Sequence, residues 1–395
     1  MLRSFRSIGA HPPSLTICLV FATNSLLSGN WLVRIPEIQS RLALSEAELG
    51  LCLLGMPAGG VLMMPLMGWI TARWGAGRVT LLAALGYCVV SLLPAMAWSM
   101  PALLAALFGV GVASGAMDIA MNAEAAAIEE ERGVSILSTC HGFWSLGAMI
   151  GGATGGVVAA WGASLVPHVA VVAVLMVVLL LARRATLLVG RAGSATSAPV
   201  FALPTGPLVG LAVIAFCALV GEGAMADWSA VYLKNTLGAG AAVAGFGYAF
   251  FSAAMAVGRL YGDQIAERFA TASIIRAGAL LAAAGFGMAL LVGHPYAALV
   301  GFACVGLGYA CMVPLLYRTA ARMPGMVSGT SIAAVATAGY AGLFAGPPLI
   351  GFTAEVVGLS GALGIVAVLS ALAGLLAPGA LRRESKKTRA DASPA

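Results

Sequence analysis

The chain alternates from end to end between long apolar runs and short polar interruptions. A helix needs about 20 apolar residues to cross the roughly 30 Å of bilayer hydrocarbon. Runs of that size fall at 14–35, 46–71, 79–98, 101–127, 134–160, 163–182, 207–233, 242–266, 272–292, 295–318, 328–352 and 360–380, which predicts twelve membrane-spanning helices. The first begins like a signal peptide, with Arg3 and Arg6 ahead of it. Its apolar run continues past Asn24 to about Val33 and meets no small-x-small cleavage site, so it is expected to remain as span 1.

Composition places the chain in the same class. Only 9% of its 395 residues are charged and 61% are hydrophobic, whereas a soluble domain carries about 25% charged residues. Gly accounts for 51 positions. Gly55/Gly59, Gly111/Gly115, Gly147/Gly151 and Gly342/Gly346 have the GxxxG spacing that lets membrane helices approach closely. The seven cysteines all lie in apolar segments without a CxxC, as buried thiols do, and they imply neither disulfides nor a metal.

The net charge of +6 is topological. With both termini inside, 18 of the 21 Lys and Arg fall on the cytoplasmic side, leaving only Arg34, Arg41 and Lys234 outside. That accounts for the positive charge without a nucleic-acid partner. The basic tail "RRESKKTR" reads as a solvated cytoplasmic end beside lipid headgroups.

The chain also repeats itself at an offset of 195 residues. The offset superposes Leu42, Ala47 and Gly50 on Leu237, Ala242 and Gly245, and Gly147, Gly151 and Gly156 on Gly342, Gly346 and Gly351. A duplicated six-span unit follows: an N-terminal half over 1–184, a cytoplasmic linker over 185–206 and a C-terminal half over 207–395. Two such halves with a solute site between them near midplane form a transporter architecture.

Several motifs carry a family resemblance. "GWITARWGAGR" (Gly68 to Arg78) follows span 2, and "GRLYGDQIAERF" repeats it with Arg259, Asp263, Glu267 and Arg268. "DIAMN" in span 4 is followed by "HGFWSLGAMIGG" in span 5. On these motifs the chain resembles the major facilitator superfamily over its full length. Within it, the span-4 and span-5 motifs resemble the fucose-permease-type sugar–proton symporters and their relatives. The resemblance implies an all-α membrane protein with twelve transmembrane helices in two six-helix pseudo-repeat halves. It implies gating contacts through Arg73, Arg78, Arg259, Asp263, Glu267 and Arg268, with Ala72 standing where the first motif has its acid. It also implies proton coupling through the span-4 carboxylate, Asp118. A second likeness points the other way: "GAMIGGATGG" (Gly147 to Gly156) resembles the span-5 glycine motif of proton-driven drug antiporters, with Gly152 in place of the proline.

Ionisable groups inside the spans are few, and each costs about 2.5–3.5 kcal/mol at a helix centre on insertion scales. Asp118 and Asn122 share a helix face at i, i+4. With span 4 ending near Ala127 and span 5 starting near Val134, Asp118 and His141 lie at one depth, about 10–14 Å from the cytoplasmic boundary. They are expected to form a proton-coupling pair or a structural hydrogen-bond cluster. Glu129 to Glu131, in the loop, are expected to be solvated. Glu222, near the middle of span 7, is the third proton-coupling candidate. Asn24, Asn122, Trp144, Asp227 and Trp228 are the candidate solute binders, with Trp228 open to the alternative of an interfacial tryptophan.

No GxxxxGK[ST] occurs, so no P-loop ATP site is expected; HExxH is absent, "YGD" at Tyr261 to Asp263 lacks the preceding Gly of GxGD, and Ser114 and Ser328 stand outside a GxSG. Secondary transport remains, by a protein expected to need no cofactor and to act as a monomer in a bacterial inner or plasma membrane. Its partners are then a small solute, protons and lipid. Proton-coupled uptake of a sugar or similar polar metabolite is the leading expectation; proton-driven efflux and a non-transporting solute receptor are the alternatives.

Overall fold

The computed structural model describes residues 11–189 and 199–381, apart from the side chain of Asp263. Among the described residues the chain is helical throughout, without strands. Spans 1 to 10 are Pro12–Leu32, Glu46–Trp74, Ala76–Met96, Met100–Arg132, Leu137–Ala160, Leu165–Leu187, Leu208–Thr236, Ala241–Arg268, Thr271–Val292 and Pro295–Ala321. The last apolar segment, Ser328–Ala380, has 53 residues. A straight helix of that length would be about 80 Å long, far more than a bilayer. Gly358 breaks it with φ 75° and ψ 162°, giving span 11 over 328–357 and span 12 over 359–380, for twelve in all.

The span boundaries have local causes. Two prolines open span 1 behind the His11 cap. Ser45 and Glu48 form a capping box at the start of span 2. Spans 2 and 3 meet at a single residue, Gly75, whose φ of 84° disfavours any side chain. Span 4 runs five residues beyond the predicted Ala127, to Arg132, and Gly133 terminates it in the left-handed region. The acidic run is therefore helical, and one member is not merely solvated. The Glu129 carboxylate accepts from the backbone N–H of Ile136 and Leu137 and from Ser135 Oγ, capping span 5.

Each half repeats one packing scheme. Span 1 lies on 5, 2 on 4 and 3 on 6; span 7 lies on 11, 8 on 10 and 9 on 12. All four GxxxG pairs lie in such contacts. Gly55 and Gly59 meet Leu104, Phe108 and Gly111 of span 4; Gly147 and Gly151 meet Ala22 and Leu26 of span 1; Gly342 meets Phe216 of span 7.

The halves join through spans 5 and 8 and through spans 2 and 11. Gly156 packs backbone to backbone on Gly245, and Gly50 on Gly351. Those four are the residues that the 195-residue offset superposes, Gly50 on Gly245 and Gly156 on Gly351. The repeat thus has a physical purpose: two symmetry-related glycine contacts seal the end of the molecule opposite the termini. Gln39 accepts from Asn235 Nδ2 at 3.0 Å, and the Glu355 carboxylate accepts from Ala47 N–H at 3.1 Å, across the same seal. Toward the terminal end, span 11 lies mainly on the 46–53 part of span 2 and falls away from Gly55–Trp74, so spans 2 and 11 splay apart there.

Candidate solute chamber

The space between the halves is lined where spans 1, 4 and 5 face spans 7, 8, 10 and 11. Asn24 organises the first wall. Its Oδ1 accepts from Trp144 Nε1 at 3.1 Å, and its Nδ2 points at Ser114 Oγ and Met117 Sδ, each at 3.5 Å. One buried amide thereby fixes the indole of span 5 against span 4. It also sets the depth scale: Asp118 follows Met117, and His141 lies one turn from Trp144 toward the terminal end. Their depths agree within about a turn.

They do not form the expected pair. Asp118 Oδ1 accepts from Asn122 Nδ2 at 3.2 Å on its own helix, and the His141 ring packs edge-on against Phe21 at 5.3 Å. No hydrogen bond joins the two among the described residues. The reason lies in span 5, whose glycine face packs on span 1 and not on span 4. Asp118 looks instead across the chamber, within electrostatic reach of Tyr317 and Tyr340 in the other half.

A polar contact between the walls is made by Arg259. Arg259 was grouped with the gating motif although it fell within the predicted span 242–266; span 8 runs to Arg268, which puts Arg259 nine residues inside the helix. Its Nη1 donates to Ser145 Oγ at 2.9 Å, its guanidinium lies 5.8 Å from the Trp144 ring, and its Nη2 is 3.6 Å from Glu222 Oε1. The side chains of Arg259 and Glu222 are 16% and 22% exposed, so this is an ion pair inside the chamber. Ser145 and Trp144 belong to one half, Glu222 to the other. Two signals in the sequence pointed here: an arginine inside an apolar run, and Ser145 one position after Trp144.

Asp227 is half-buried, within electrostatic reach of Tyr248. Trp228, the next residue, faces away: it is fully buried, and its indole Nε1 has no partner among the described residues. Fully buried, it is not exposed at a lipid interface in this state.

Of the remaining gating residues, Arg73, Arg78, Glu267 and Arg268 are exposed at the splayed terminal end. Arg73 lies over the Trp69 ring at 5.9 Å. None of the four forms an ion pair among the described residues. Asp263 has its side chain outside the described residues. Among the described residues no cluster of metal-ligating side chains occurs.

The comparisons with known proteins agree with this architecture. The chain is 39% identical over 355 residues to an MFS-type transporter of Yersinia pestis, covering 89% of this chain and 91% of the relative. It is 33% identical over 365 residues to a transporter of Sinorhizobium fredii, covering 91% and 95%. Among solved structures it resembles a D-xylose–proton symporter with a TM-score of 0.72 at 16% identity, covering 92% of this chain and 97% of that one. It resembles the nucleoside transporter NupG equally well, with 0.72 at 13% identity, covering 94% and 100%. At such identities the likeness concerns the fold, and the two folds carry chemically different solutes. Residues 15–342 and 211–394 match the Major Facilitator Superfamily, and the chain, a multi-pass integral membrane protein of twelve spans in two halves, belongs to that family of transporters.

Proposed function

We propose that the protein takes up a small polar solute, a sugar or a related metabolite, together with a proton. The observation that carries this is the placing of carboxylates on both walls of the chamber. Asp118 stands on one half and Glu222 and Asp227 on the other, among neutral hydrogen-bonding groups such as Asn24 and Asn122. Carboxylates in that setting persist where they exchange protons or hold a solute. The two halves rock about the chamber, and protonation biases one state over the other. In this orientation the termini are cytoplasmic, the sealed end faces outward, and Arg73, Arg78, Glu267 and Arg268 close the cytoplasmic end in the alternate state. The protein acts as a monomer.

The span-5 glycines, which raised the efflux alternative, are accounted for by packing: Gly147, Gly151 and Gly155 on span 1, Gly152 and Gly156 on span 8. They favour neither direction. The test is flux in proteoliposomes under an imposed pH gradient, with sugars, organic acids and cationic dyes as probes. Inward flux should follow the proton gradient, and Asp118→Asn should lower gradient-driven flux at least tenfold. Flux against the proton gradient would establish exchange, and an unchanged Asp118→Asn would remove that residue from the coupling.

A further inference from the structure

We infer that the solute carries a single carboxylate and that Arg259 is its anchor. Glu222 gives up the guanidinium when the proton arrives. This rests on the chamber being the solute site and deepens that reading by naming the chemical class.

An arginine nine residues inside a spanning helix is costly to insert and is retained where it faces a partner or a cavity. The partner present, Glu222, is held loosely. The 3.6 Å separation compares with about 2.7–2.9 Å for a well-formed charge-assisted hydrogen bond. The short contact of Arg259 is to a neutral group, Ser145 Oγ. A guanidinium has five N–H donors in a planar fork that matches a carboxylate in bidentate fashion, and this one is already braced by Ser145 and by the Trp144 ring. The fork is thus oriented by one half of the protein and only weakly neutralised by the other.

Charge balance selects the class. Arg259 has Glu222 in direct contact, and the chamber walls also carry Asp227 on the same half and Asp118 on the opposite one. A monoanion arriving alone would add a fourth negative charge to a low-dielectric space. If it displaces Glu222 from Arg259 while Glu222 takes a proton, the sum of charges is unchanged. A dianion such as a phosphate ester would leave one charge uncompensated. A neutral sugar would leave the ion pair no reason to open. The other titratable groups facing the pair are neutral donors or weak bases: Tyr248 of span 8, Tyr309 and Tyr317 of span 10, and His141 of span 5 beside Arg259. Glu222 is the carboxylate in direct contact with the guanidinium, so it is the group that an arriving carboxylate must displace.

One proton with one monoanion is electroneutral, and a proton with a neutral solute is not. The experiment uses wild-type proteoliposomes and matched probe pairs: D-gluconate and D-glucitol, D-glucuronate and D-glucose, L-lactate and propane-1,2-diol. The pH gradient and the membrane potential are imposed separately. At least one acid should enter tenfold or more faster than its neutral counterpart, driven by the pH gradient and indifferent to a potassium–valinomycin potential. Arg259→Gln should raise the KM for that acid at least tenfold, and Arg259→Lys by less. Size-exclusion profiles and melting temperatures are to check that both variants are folded. Glu222→Gln should bind the acid with little dependence on pH, where the wild type binds it better as pH falls. Gradient-driven entry of a neutral partner at an equal or greater rate overturns the carboxylate assignment and leaves proton-coupled uptake standing. Entry of no acid in the panel overturns it as well. Flux that ignores the pH gradient for every probe sinks the proton-coupled reading itself.

Discussion

Glu129 stands in a run of three acids that looks uniform in the sequence, yet it alone is seen to cap span 5. Its carboxylate satisfies two backbone N–H groups at a helix start, where the macrodipole also favours negative charge. Glu129→Ala should therefore cost about 1 kcal/mol, seen as a lower melting temperature in detergent. Glu130→Ala, at an exposed position, should change it little. Equal effects would mean that the cap contributes nothing. Sequence reasoning could not separate the three because the cap depends on where span 4 stops and span 5 begins. Arg259 was read from its motif alone, because a motif match groups residues by spacing, whereas its contacts to Ser145, Trp144 and Glu222 come from other helices. Asn24 and Trp144 were picked out one by one, but their mutual hydrogen bond needs spans 1 and 5 in contact, which no local pattern encodes.

At the scale of helices the sequence was far more legible, because spanning a bilayer imposes a length and a polarity that hydropathy reports directly. All twelve spans appear where apolar runs predicted them, and even the unbroken 53-residue segment divides at Gly358, inside the predicted gap. The GxxxG pairs were individually weak signals, but each lies at a close approach. They differ in how close. A Cβ on Gly111 would stand 1.9 Å from the Met56 carbonyl oxygen, and backbone cannot yield as a flexible side chain does. Gly111→Ala should destabilise the protein by about 1–3 kcal/mol, as overpacking does. Gly86 on span 3 has no atom within 4 Å of such a Cβ, so Gly86→Ala should be neutral or gain up to about 1 kcal/mol from helix propensity. Melting temperatures of the two variants in one detergent decide this; equal losses would show that the spacing of spans 2 and 4 is not set by Gly111.

For the whole molecule, the internal repeat and the conformational state are one matter. The offset that pairs Gly50 with Gly245 and Gly156 with Gly351 names four residues, and the structure brings them together as two equivalent contacts sealing one end. What the sequence could not convey is which end is sealed, since both states of an alternating carrier use the same residues. Opening that end requires the Gln39–Asn235 contact, 3.0 Å across the halves, to separate. A covalent link there should hold the molecule in the state described. The double variant Gln39→Cys, Asn235→Cys, oxidised in proteoliposomes, should lose at least nine-tenths of its flux and recover it on reduction. Each single variant should keep its flux under the same oxidant. The proposed orientation adds a directional outcome: in right-side-out vesicles a membrane-impermeant phosphine should restore flux from the outside. Recovery only after the vesicles are inverted would place the seal, and with it the termini, on the opposite sides. Full flux with the cross-link confirmed by mass spectrometry would show that transport does not require this end to open.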